Sequence, residues 1–184
     1  MINKKDEVAV ILPKDVITGN AKAPVSIMEF GDYESDACAK AHTVVKEILA
    51  IYGNQVNFIF RHFPLLKIHQ KAHKAAEAAI AAAQEGKFWE MHEILFQNRR
   101  NLGTISLKLY AKEIGITNKD FLNDLINGKY GWNVQDDLTE GIQLGVTDVP
   151  AFFINKQRFD GSITVDSFKK DIDAVLKSKP KLKV

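Results

Sequence analysis

The stretch PVSIMEFGDYESDACAKAHTVVKEILAIYG, residues 24–53, constrains the fold more than any other. PVSIMEF is a short apolar run rich in β-favouring side chains, and it reads as a strand. It runs within a few residues into ACAKAHTVVKEILAIYG, where Cys38, His42, Val45, Ile48 and Leu49 fall near one face of a helix. QVNFIFRHF follows as another strand and is stopped by Pro64. Strand, helix and strand in that order form a right-handed crossover, which makes the two strands parallel neighbours. The chain is therefore α/β.

The flanking segments extend this unit. EVAVIL reads as an earlier strand, separated from PVSIMEF by the loop PKDVITGNAKA. After Pro64 come five segments with three-to-four-residue apolar spacing: HQKAHKAAEAAIAAAQEG, KFWEMHEILFQN, SLKLYAKEIG, NKDFLNDLIN and YGWNVQDDLTEGIQLG. Strand character returns in PAFFIN and QRFDG. TVDSFKKDIDAVLKS then closes as a helix, with Thr164 as its N-cap and Asp166 and Asp171 near its start. The tail KSKPKLKV reads as a frayed, solvated end. The pattern is a small sheet interrupted by helices, without internal repeats.

A length of 184 residues suits one domain with an insertion, and 46% hydrophobic residues with eleven Phe supply a core. The net charge of +2, with signs interspersed, gives no nucleic-acid footprint. No stretch approaches the roughly 20 apolar residues of a membrane span. The N-terminal apolar run is short and broken by Pro13, unlike a signal peptide. As written the chain reads as cytoplasmic, or as periplasmic or exported if a leader has been removed.

The chemistry lies at the strand–helix junction, where Ser35 and Cys38 end a four-residue window. The single cysteine excludes an internal disulfide and a multi-thiolate zinc site. Ser35 precedes the helix and is suited to cap it, contributing about 1 kcal/mol. Cys38, three positions into the helix, reads either as a small buried hydrophobe or as a thiolate favoured by the helix N-terminus. Glu34 and Asp36 would oppose the thiolate, and Lys40 and His42 could reinforce it if they face it. His69 and His73, spaced i, i+4, and His92 lack a metalloprotease pattern or an evident carboxylate partner, so no metal site is expected. Phe88, Trp89 and Phe96 read as core packing.

In order and spacing, PVSIMEFGDYE, FIFRHFPL, HKAAEAAIAAAQEGKFWEMHEILF and GVTDVPAFFIN resemble the DsbA-like branch of the thioredoxin superfamily, across roughly residues 20–176. The resemblance implies a thioredoxin-like domain of residues 1–65 and 145–184, with a helical subdomain, residues 66–144, inserted. Members of that branch carry Cys-x-x-Cys at this junction. Here Ser35 stands at the attacking position and Cys38 at the resolving one, with Asp36 and Ala37 between them. The resemblance also implies a cis bond at Val149–Pro150, facing the site and offering the Val149 backbone to a peptide.

It further implies thiol–disulfide chemistry on a protein or small-thiol substrate, without a cofactor, with Cys38 and Ser35 catalytic and Val149 and Pro150 shaping the groove. Three alternatives remain open at this point. Kappa-type glutathione transferases and isomerases look similar here, using a serine to orient glutathione as substrate or co-substrate. A non-catalytic binding module would keep the groove without the chemistry. An engineered Cys-to-Ser replacement would make the natural chain an ordinary dithiol oxidoreductase.

Overall fold

The computed structural model describes residues 10–178. In chain order the elements are β1 (Ile17–Gly19), β2 (Val25–Gly31), α1 (Asp36–Tyr52), β3 (Val56–His62), α2 (Ala72–Ala83), α3 (Phe88–Gln97), α4 (Thr104–Glu113), α5 (Phe121–Ile126), α6 (Gly131–Gln143), β4 (Ala151–Ile154), β5 (Gln157–Phe159) and α7 (Val165–Ser178). The strands form one five-stranded mixed sheet in the order β1-β3-β2-β4-β5. The β2–α1–β3 crossover gives parallel pairing, Val25 opposite Val56 through Gly31 opposite His62, as the sequence predicts.

The first strand is displaced from its expected position. Of EVAVIL, residues 7–9 lie outside the described residues, and residues 10–12 are not strand. The Ile11 amide donates to Gln84 Oε1 at 3.0 Å, and Gln84 Nε2 donates to the Ile11 carbonyl at 3.1 Å. A side chain of the helical region thus satisfies this backbone, and Pro13 opens a short 3-10 turn. The pairing strand is instead Ile17–Gly19, inside the expected loop, antiparallel to β3. All but the first two residues of the KSKPKLKV tail also lie outside the described residues.

The β4–β5 hairpin turns on Asn155 and Lys156, both at positive φ, 48° and 71°. A two-residue hairpin favours such angles because their twist matches the strands. The Asn155 side chain locks the turn, accepting from the Ser26 amide at 2.8 Å and donating to the Pro24 carbonyl at 3.2 Å. Thr164 caps α7 as expected, its Oγ1 accepting from the Ser167 amide at 3.3 Å.

Helices α2 to α6 connect β3 to β4, and α6 packs back on the sheet. A Cβ at Gly141 would lie 2.6 Å from the Phe63 ring and 3.1 Å from Phe30, so only glycine permits this approach. Arg61 of β3 meets Asp137 Oδ1 at 2.7 Å and Glu140 Oε2 at 2.6 Å, while the neighbouring His62 amide donates to Asp137 Oδ2 at 2.9 Å. Burial pushes the Asp137 carboxyl up to about 6, against the pull of the Arg61 guanidinium. No helix among the described residues is long and apolar enough to cross a membrane.

Candidate active site

β2 ends at Gly31, and the chain turns through residues 32–35 into α1. The Ser35 amide donates to the Asp32 carbonyl at 3.1 Å, closing the turn. Ser35 has extended dihedrals, φ −75° and ψ 123°, and its Oγ accepts from the Cys38 amide at 3.2 Å. It is therefore the N-cap expected from its place in the sequence.

Cys38 is completely buried. Its Sγ accepts a hydrogen bond from the Asp32 amide at 3.4 Å. Burial, then the nearby Glu29 carboxyl, push the thiol well above its ordinary range; the Ser35 and Asp32 hydrogen bonds act in the opposite sense. The helix N-terminus does not prevail here, because desolvation of the anion outweighs it.

The acids opposing the thiolate are not the flanking pair. Asp36 is bound to Arg99, which holds its carboxyl below the usual carboxylate range. Glu34 Oε2 accepts from the Lys71 amide at 2.6 Å. The carboxyls that weigh on Cys38 are Glu29 and Asp32. Glu29 is 1% exposed, its Oε1 has no partner, and burial raises its pKa well above the ordinary value. Its visible signal is an acid inside the otherwise apolar PVSIMEF. Gly31 makes room for it: a Cβ there would lie 3.0 Å from Glu29 Oε1 and 2.5 Å from the Phe60 ring.

Asp32 ties a second loop to the turn. Its Oδ1 accepts from the Glu34 amide at 2.7 Å, and its Oδ2 from the Leu65 amide and His69 Nδ1, both at 2.8 Å. Of the three histidines weighed for a metal, His69 and His73 do have carboxylate partners, contrary to the sequence reading, and His92 has none among the described residues. His69 is on Asp32, His73 on Glu77 and His42 on Glu93. His42 also stacks on Phe96, so it does not serve the thiol. His92 is buried and pairs its Nδ1 with Tyr33 Oη at 3.0 Å. Phe88 and Phe96 pack around it in the core. Among the described residues no group of three or more His, Cys, Asp or Glu could hold a metal ion.

Val149–Pro150 is cis. β4 begins at the next residue, and Ala151 pairs with Phe30 near the end of β2. Pro150 therefore lies at the sheet end from which α1 departs. One detail differs from expectation: the Val149 amide is not open to a peptide but donates to Asp148 Oδ1 at 2.8 Å. An acid one residue away satisfies it locally.

A family model described as Thioredoxin matches residues 12–174. The chain belongs to the thioredoxin family. Within that family its fold is DsbA-like. Oxidised BdbD from Bacillus subtilis superposes with a TM-score of 0.80 at 22% identity, covering 88% of this chain and 92% of that one. The alpha-DsbA1 protein of Wolbachia pipientis gives 0.73 at 25% identity, covering 93% and 95%. Among curated relatives, the Na(+)/H(+) antiporter NhaA 1 of Salinispora arenicola is 32% identical over 154 residues, 84% of this chain and 24% of that protein. The chain spans about a quarter of the length of the curated relatives it matches. This thioredoxin-family chain thus carries a serine cap and one sealed thiol at its strand–helix junction.

Proposed function

We propose that this chain is a thiol–disulfide exchange protein of the DsbA-like kind that works through one thiol, Cys38. The observation that carries the reading is the direct link from the Ser35 hydroxyl to the Cys38 amide, on a turn whose Asp32 amide also reaches the sulfur. The reading puts a substrate sulfur at Ser35, one helical turn outside Cys38, with Val149 and Pro150 as a wall. Residues 66–144 are taken as the inserted helical subdomain.

In the exchange, local opening of the turn of residues 32–35 uncovers the otherwise buried Cys38 sulfur, which attacks a substrate disulfide, giving a mixed disulfide on Cys38 and a released substrate thiol. The thiol proton of Cys38 ends on that leaving sulfur. A second, external monothiol of the glutathione class then attacks the mixed disulfide and frees Cys38. No cofactor takes part. The relative from Salmonella enterica serovar Typhimurium is described as periplasmic, and an oxidising compartment of that kind suits this reading.

The test is mass spectrometry of the folded protein held in oxidised glutathione. A single glutathione adduct on Cys38, removed by reduced glutathione, is the expected result. If glutathione instead binds without an adduct and raises the melting temperature, the transferase-like use of Ser35 takes over. Neither adduct nor thermal shift leaves the binding module.

A further inference from the structure

The loop of residues 65–71, which the thiol chemistry above does not use, is fastened to the turn bearing Ser35 at three points. The Leu65 amide and His69 Nδ1 both bond Asp32 Oδ2, and the Lys71 amide bonds Glu34 Oε2. The Asp32 side chain is fully buried, while that of His69 is 23% exposed. Asp32 is held from both sides, because its other oxygen takes the Glu34 amide.

This is the arrangement of an orienting carboxylate and a working imidazole. A buried acid fixed by backbone amides accepts from Nδ1, which sets the tautomer with Nε2 as the basic nitrogen. Among the described residues the ring hydrogen-bonds through Nδ1 to Asp32, and it reaches solvent. A histidine serving only as a loop pin needs neither an oriented tautomer nor an exposed edge.

We propose that His69, oriented by Asp32, is the general base for the incoming substrate thiol at this site. The proposal rests on the one-thiol reading for the reaction it serves. His69 Nε2 takes the proton of a thiol R–SH arriving at Ser35, and the resulting imidazolium is stabilised by Asp32. The thiolate attacks the substrate sulfur of the Cys38 mixed disulfide, R′–S–S–Cys38. The bond R–S–S–R′ forms and the bond to Cys38 breaks. The Cys38 sulfur leaves with the electron pair and recovers a proton, while His69 gives its own proton to solvent. One substrate thiol is oxidised and Cys38 is reduced.

The charged group bonded to His69 is Asp32; Glu34 holds the same loop at the Lys71 amide, Lys67 and Lys71 neighbour His69 in the chain, and His73, in the first turn of α2, is paired with Glu77. The test therefore needs a sulfur at the Ser35 position rather than activity alone. Ser35→Cys, kept reduced, places a thiol there, and its alkylation by iodoacetamide is read as the rate above that of the slowly alkylated Cys38 of the parent chain. Alkylation is followed from pH 5 to 9 in Ser35→Cys and in Ser35→Cys/His69→Gln, with the melting temperature of each.

With His69 present, the rate at pH 7 should be at least about tenfold higher, and its pH profile should carry a step that the second variant lacks. Superimposable profiles would overturn the proposal. If His69→Gln does not fold, the ring resonances of His69 are compared by NMR between Ser35→Cys and the parent chain at pH 7. A changed ring environment supports the proposal, and unchanged resonances overturn it. The glutathione-adduct experiment does not depend on His69, so failure of the one-thiol reading is separately visible.

Discussion

The amide of Asp32 donates to the sulfur of Cys38 across 3.4 Å, while the carboxylate of the same residue holds His69 at 2.8 Å. One residue thus touches the sealed thiol with its backbone and the exposed imidazole with its side chain. The contrast between those two environments sets the first expectation.

Alkylation of Cys38 in the folded parent chain should be slow and should show no plateau below a free cysteine's value near 8.5. Burial and Glu29 both disfavour the thiolate. Iodoacetamide kinetics against pH check this, and saturation by pH 6 would contradict the burial described here.

Turnover should follow the number of thiols. The parent chain is expected to show negligible insulin-type disulfide reduction without an added monothiol, and Ser35→Cys should raise it by about tenfold or more. Robust activity of the parent chain without glutathione would remove the one-thiol reading.

Removing the cap has a structural cost separable from chemistry. Ser35→Ala leaves the Cys38 amide without its Oγ acceptor and should destabilise the protein by about 1 kcal/mol, or roughly 2–4 °C in Tm. Calorimetry measures this, and an unchanged Tm would mean that another group replaces the cap.

Glu29 supplies a pH-dependent prediction. Its folded-state pKa is raised, so its stability contribution is complete below the unfolded value of about 4.3 and is lost as pH climbs towards the folded value. Glu29→Gln should therefore gain on the parent chain by about 1.4 kcal/mol per pH unit above that point. Urea unfolding at pH 3.5, 5.5 and 7.5 gives the comparison. A constant difference across the three would show that the carboxyl titrates normally.

The buried ion pair should be asymmetric. Arg61→Met leaves Asp137 buried without its cation and should cost about 3–5 kcal/mol, seen as a lower urea midpoint. A double change to Arg61→Met/Asp137→Leu should recover part of that loss, although the His62 amide then lacks its acceptor.

Local pattern carried most of the architecture. Apolar periodicity marked β2, β3, β4 and every helix, because each buries a face whose spacing is written in adjacent residues. The cap at Ser35 and the cis bond at Val149–Pro150 were also legible, the first from helix-end chemistry and the second from resemblance. What escaped depends on contacts distant in sequence. Gln84 captures the Ile11 backbone across 73 positions, and residues 10–12 join no ladder. Asp32 captures His69 across 37, so nothing near either residue announces the pair. The acid that matters most to Cys38 was Glu29 in a strand rather than Glu34 or Asp36 in the turn, because burial is a property of the fold.

Asp137 grips two consecutive residues of β3, the Arg61 side chain and the His62 backbone. A helix held at one such point could pivot; α6 is also seated by Gly141 against Phe30 and Phe63. Two anchorages fix its bearing on the sheet, and the short connector of residues 144–150 then delivers Val149–Pro150 from a surveyed origin. On the proposed function, the wall formed by Val149 and Pro150 thus inherits its alignment from a carboxylate that never meets the substrate. The loop of residues 65–71 takes its own alignment from a separate pair of acids, Asp32 and Glu34 of the turn, and so owes nothing to α6.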